Sequence, residues 1–241
     1  MIIEIMLLVL LAFFASAVGT ITSFGTSTIM VPVLALFYGF NPVLLFTGIV
    51  HAVGNFGKMY FFKSGINWRL IALFGIPGLI LSYIGSRLVP DFSSDIVLRL
   101  LGAFILFYVI YILRNPEWKL PKNNKTAVLG GSLTGLSAAV FGVQGVIRAT
   151  FLSAFDLKKE VFLFTAGAIG LIIDGGRLVG YLQSEIELTP TLLIAALISV
   201  PTVLFGSYIG KRVVDKIPQS KFRTVIAVAL TIIALRYLIF A

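Results

Sequence analysis

The sequence predicts an all-α membrane protein. The expected form is a polytopic helical bundle of two inverted repeats, each a broken, re-entrant helical hairpin plus three long transmembrane helices. Three observations carry that prediction. Of 241 residues, 59% are hydrophobic and only 12% charged, with a mean hydropathy of +1.04, whereas soluble domains carry roughly a quarter charged residues. Apolar runs of about 18 residues or more recur along the chain, continuous rather than alternating, which favours helices that satisfy their own backbone over a barrel. The two halves of the chain also echo each other.

The apolar segments fall roughly at 2–18, 26–38, 43–62, 68–87, 96–113, 127–141, 143–155, 160–181, 191–210 and 222–240. The first lacks a basic leader and a small-residue cleavage site, so it is read as a helix rather than a removable signal. Only "GTITSFGTSTIMVP" (19–32), with two glycines, six hydroxyl side chains and no charge, separates the first segment from the second. Only the region of "VFGVQG" (140–145) separates 127–141 from 143–155. Several of these four segments are shorter than the ~20 residues a full crossing needs. The longest polar stretch, "RNPEWKLPKNNK" (114–125), reads as a linker.

The repeat rests on four correspondences. "SYIGSRLV" (82–89) matches "SYIGKRVV" (207–214), with Pro77 and Pro201 a little before each. "TGIVHAVGNFGK" (47–58) lines up with "TAGAIGLIIDGGR" (165–177), placing Asn55 over Asp174 and Lys58 over Arg177. Gly19 and Gly25 line up with Gly135 and Gly142. All fall at offsets of about 116 to 125 residues. The expected organisation is one integral domain: a first repeat over 1–113, the linker 114–125, and a second repeat over 126–241.

Charge then sets orientation. If each short pair is a hairpin, one side receives thirteen basic residues (Lys63, Arg69, Arg114, Lys119, Lys122, Lys125, Lys158, Lys159, Lys211, Arg212, Lys216, Lys221 and Arg223), against Arg87, Arg99 and Arg236 opposite. If each pair is one broken span, the split is nine to seven. The positive-inside rule therefore favours hairpins and inverted halves, a cytoplasmic linker and both termini outside. Length agrees: residues 2–38 as one helix would run ~55 Å, against a core of about 30 Å. The expected location is the prokaryotic cytoplasmic membrane, with the lipid bilayer as partner. The net charge of +9 is thereby absorbed without invoking nucleic acid.

Inverted repeats bring the two hairpin tips, Gly19–Thr28 and about Gly135–Gly145, toward the midplane from opposite sides. A helix that restarts after a glycine turn points unpaired N–H groups and its positive dipole end at what lies there, which suits an anion. Thr22, Ser23, Gly25, Thr26 and Ser27 in the first tip, and Gly142, Gln144 and Gly145 in the second, are the candidate binding residues, with Ser137 a further donor. Small residues in membrane helices also serve close packing. Arg148, four residues after Gln144, adds positive charge suited to an oxyanion; its structural alternative is an anchor snorkelling to the cytoplasmic loop. His51, Asn55 and Lys58 form one polar stripe, while Asp174 and Arg177 are i, i+3 neighbours expected to pair. These five are candidates for coupling or gating. His51, the only histidine, is either a proton carrier or an interhelical hydrogen-bonding group, and Lys58 could simply snorkel.

No HExxH, GxSxG or Walker loop occurs, and the chain has no cysteine. One histidine cannot build an ordinary zinc site, so no enzyme, metal or cofactor is expected.

Two related halves, a glycine-rich motif near the start of each ("GTITSFGTSTIMVP" and "GLSAAVFGVQGVIRATFL") and a basic linker between them resemble the sulfite exporter TauE/SafE family of membrane transporters. The resemblance covers essentially the whole chain. It implies movement of sulfur-containing anions, such as sulfite, sulfoacetate and related sulfonates, across the inner membrane. The expected function is secondary transport of such a small anion by alternating access. The alternative is a non-transporting membrane accessory protein that delivers a sulfur species to a partner; a homodimer is a candidate assembly.

Overall fold

The computed structural model describes residues 1–22, 25–62, 65–89, 94–114 and 120–213, with isolated positions 231, 235, 238 and 239. The described residues fold into helices α1 (Ile2–Thr22), α2 (Ser27–Leu34), α3 (Phe40–Phe61), α4 (Trp68–Leu88), α5 (Ser94–Arg114), α6 (Asn124–Phe141), α7 (Gly145–Ser153), α8 (Lys159–Gln183) and α9 (Pro190–Val213). The apolar segment expected at 222–240, those isolated positions aside, and residues 115–119 of the linker fall outside them. The expected all-helical class holds.

Local chemistry sets several boundaries. The Asn67 side chain accepts the Leu70 N–H at 3.0 Å and opens α4, and Asn123 accepts the Thr126 N–H at 2.8 Å and opens α6. Gly142, left-handed at φ +67°, ends α6. The segment expected at 26–38 is helical only to Leu34. With 8 and 9 residues, α2 and α7 extend only about 12–14 Å, too short to cross a bilayer.

Among the described residues, four helices are long and apolar enough to cross a membrane by length and composition: Ile2–Ile21, Trp68–Leu88, Lys159–Gln183 and Pro190–Val213. Their outward faces are apolar. Ile3, Met6, Leu7, Leu10 and Phe14 are exposed along α1, as are Ile76, Ile80 and Ile84 along α4 and Leu193, Leu197 and Phe205 along α9. In water such a surface would aggregate; in lipid it is the correct exterior. The polar groups go inward: Thr47, His51, Asn55, Gln144, Arg148, Thr165, Asp174 and Arg177 are all buried.

The packing follows a reciprocal pattern. α1 lies along α9 and α6 along α4; α3 and α8 meet in the middle, with α8 also against α4 and α3 against α9. The close approaches come from two GxxxG pairs. A Cβ on Gly131 or Gly135 of α6 would collide with the Phe74 or Gly78 carbonyl of α4. One on Gly206 or Gly210 of α9 would lie 2.6 Å from the Phe13 or 2.7 Å from the Ala17 carbonyl of α1. The serines of the two matching octapeptides play corresponding parts: Ser82 faces Gly176 of α8, and Ser207 faces Gly57 of α3. Ser82 donates to the Ile173 carbonyl at 2.9 Å, and Ser207 shares a 2.9 Å hydrogen bond with Ser16.

Gly135→Ala is therefore expected to destabilise by about 1–3 kcal/mol, because the neighbour that must move is backbone. Gly175→Ala, where a Cβ meets nothing within 4 Å, is the control and should be neutral or mildly stabilising. Thermal melting in detergent checks both.

Candidate functional site

The first hairpin reverses at Gly25. Its φ is +81°, and its N–H donates to the Gly19 carbonyl at 3.3 Å. The turn is so tight that a Cβ on Gly19 would lie 2.6 Å from the Gly25 carbonyl carbon. α2 starts two residues later with no side-chain cap from Thr26, so its first N–H groups are not spent on a neighbouring side chain.

The second tip is smaller than the expected 135–145. α6 runs unbroken to Phe141, so the turn is Gly142–Gln144, and Gly135 is a packing glycine inside the helix. Ser137, expected to offer a donor to a ligand, instead donates to the Val143 carbonyl and closes the turn. α7 restarts at Gly145, also without a side-chain cap. The two hairpins touch: a Cβ on Gly142 would fall 2.8 Å from Val31 of α2 and 2.7 Å from Leu44 of α3.

Behind the tips, α3, α7 and α8 build one polar cluster around Asp174. Its Oδ2 accepts from His51 Nδ1 at 2.8 Å and from Asn55 Nδ2 at 2.8 Å. Its Oδ1 accepts from Gln144 Nε2 at 2.6 Å, and from Arg177 Nε at 2.9 Å and Nη2 at 2.7 Å. The expected Asp174–Arg177 pair is present. The third nitrogen of Arg177 reaches the Ala138 and Gly142 carbonyls at 3.2 and 3.4 Å, holding the negative end of α6. The alignment that set Asn55 over Asp174 thus places in contact two positions that correspond between the halves.

Arg148 differs from Arg177. It is wholly buried, and its one hydrogen bond, from Nη1 to Gln144 Oε1 at 3.2 Å, goes to a neutral amide. Among the described residues its Nε and Nη2 are unpartnered, as are Thr26 Oγ1, Ser27 Oγ, His51 Nε2 and Asn55 Oδ1. Gly25 and Gly170 lie against several of these side chains. A Cβ on Gly25 would strike His51 Nε2, and one on Gly170 would strike both Arg148 Nη1 and Asn55 Nδ2. Lys58 is 3% exposed and does not snorkel to the surface. Three basic side chains, Lys58, Arg148 and Arg177, are therefore buried around the single carboxylate of Asp174. Leaving such positive charge uncompensated is costly, and an anion removes the cost.

The structure thus gathers Gly25, Thr26, Ser27, His51, Asn55, Gln144, Arg148, Asp174 and Arg177 into one region, with Gly142 and Gly145 at the second tip and Lys58 further along α3. The Thr22 side chain and Ser23 lie outside the described residues. Two residues of the site were not anticipated. Tyr181, one turn beyond Arg177, donates to the Ala139 and Ala138 carbonyls at 2.5 and 3.3 Å; its i, i+4 spacing from Arg177 was the available signal. Gly170 makes room for Arg148 and Asn55, and it lies four residues before Asp174 in the repeated motif.

Gly25→Ala is expected to cost about 1–2 kcal/mol in backbone strain, plus displacement of His51. Gly39→Ala is the control, because its Cβ would come no closer than 3.7 Å to Pro42. Melting temperature and anion uptake of the two variants check this.

An apolar exterior, uncapped half-helices and a charged interior are features of polytopic membrane transport proteins. Sequence comparison agrees. The family model described as Sulfite exporter TauE/SafE matches residues 8–237, and the chain belongs to that family of membrane transporters. No curated protein and no solved structure matches it.

Proposed function

We propose that this chain is a secondary transporter that moves a small sulfur oxyanion or sulfonate across the prokaryotic cytoplasmic membrane by alternating access. The observation that supports this best is Arg148: a guanidinium sealed from solvent, with two of its nitrogens unpartnered among the described residues and no carboxylate within salt-bridge distance. In this reading the substrate oxygens take hydrogen bonds from Arg148, Thr26, Ser27 and the uncapped N–H groups of α2 and α7. Gly25, Gly142 and Gly145 let the backbone approach, and Gln144 orients the guanidinium. Thr22 and Ser23 extend the same tip.

The reciprocal packing of α1 with α9 and α6 with α4 is what two related halves give, and the distribution of basic residues favours inverted halves, with the linker cytoplasmic and both termini outside. Rocking of one pair against the other about the α3–α8 contact would expose the site alternately. His51, Asn55, Asp174 and Arg177 sit at that contact, with Lys58 along the same face of α3, where a change of charge or hydrogen bonding biases the two states. Counterflow of labelled sulfite in proteoliposomes tests the proposal, with acetate and phosphate as comparison anions. Saturable sulfite uptake is expected; absence of any anion flux removes the reading.

A further inference from the structure

The polar atoms left over in the cluster are not all donors. Asn55 must turn its Nδ2 toward the Asp174 carboxylate, 2.8 Å away, so the unpartnered atom is its carbonyl oxygen, an acceptor. His51 sets Nδ1 against the same carboxylate at 2.8 Å, and in the Nδ1–H tautomer of the neutral ring it donates there. The neutral ring then presents a bare lone pair at Nε2, aimed at the Gly25 turn and unpartnered. Opposite in character are Arg148 Nε and Nη2, which only donate, and Thr26 and Ser27, which do either.

A fully deprotonated oxyanion brings lone pairs alone. It would satisfy Arg148 but set its oxygens against Asn55 Oδ1 and His51 Nε2, leaving buried acceptors unmet. An oxyanion that keeps one proton satisfies both sets. We propose that the site takes the singly protonated, singly charged form of its oxyanion, hydrogensulfite when the substrate is sulfite, and rejects the dianion. The inference rests on the transport reading above, narrows it from sulfonates to oxyanions that retain a proton, and adds that the proton travels on the substrate.

The charged groups around His51 are Asp174 and Arg177 from α8, Arg148 from α7 and Lys58 on its own helix, so a titrating imidazole is the rival source of pH dependence. The test uses the full chain in proteoliposomes, with sulfite uptake followed from mildly acid to mildly alkaline pH across sulfite's second ionisation. The KM for total sulfite is expected to rise several-fold with pH and to stay constant when expressed as hydrogensulfite. Sulfate should not compete. Methanesulfonate, a monoanion with no proton to offer, should compete weakly at every pH. That weak competition should not change with pH, whereas a titrating His51 would strengthen it as the pH falls.

A KM indifferent to pH, effective competition by sulfate, or methanesulfonate competition that strengthens as the pH falls would overturn the proposal while leaving sulfite transport in place. Absence of uptake at every pH would instead overturn the transport reading and this inference with it.

Discussion

Arg148→Ala is expected to reduce sulfite uptake roughly 30- to 150-fold at subsaturating substrate, the equivalent of about 2–3 kcal/mol for charge-assisted hydrogen bonds lost in a buried site. The same change should not lower the melting temperature. Among the described residues the Arg148 side chain makes one hydrogen bond, to Gln144, and no carboxylate lies within salt-bridge distance, Asp174 being engaged by Arg177. Removing such a group relieves a desolvation cost rather than breaking an ion pair. The two readouts therefore separate binding from scaffolding. Uptake falling together with stability would make Arg148 a structural anchor. Arg148→Lys should restore little uptake, because an ammonium cannot reproduce the planar fork.

Asp174→Asn is expected to act in the opposite way, through the fold. Asp174 is the acceptor on which His51, Asn55, Gln144 and Arg177 converge, and it is the one carboxylate facing Arg177. Its loss leaves a fully buried guanidinium uncompensated, at about 3–5 kcal/mol. Asp174→Asn combined with Arg177→Met should recover a large part of that, since the orphaned charge leaves with its partner. Denaturant or thermal unfolding of the four proteins of this cycle measures the coupling. Additive losses would show that the pair is energetically inert.

The comparison of Arg148 with Arg177 also marks what the sequence could disclose. Contacts within one helix were legible, because a helix fixes its own geometry: Gln144 with Arg148 at i, i+4, Asp174 with Arg177 at i, i+3, and the stripe of His51, Asn55 and Lys58. The repeat even placed Asn55 and Asp174 at corresponding positions. That these two would touch was not legible, since α3 and α8 meet only through the tertiary packing of separate halves. Lys58 illustrates the same limit. Its place near a helix end suggested snorkelling, but whether a neighbouring helix covers that end is decided by parts of the chain far away in sequence. The second tip was misjudged for a local reason. Gly135 and Gly142 look alike in sequence, yet one serves contact with the Gly78 backbone and the other supplies a left-handed turn.

The pairing of α1 with α9 carries a consequence for how the protein is made. Ser16 and Ser207, joined by a hydrogen bond, are 191 residues apart in the chain. At synthesis rates of about 5–20 residues per second, the first helix leaves the ribosome roughly 10–40 s before its mate exists. During that interval the hydroxyl-bearing face of α1 must be sheltered by lipid headgroups or by the insertion machinery. A ribosome that stalls before α9 leaves behind a fragment whose first helix lacks its main packing partner.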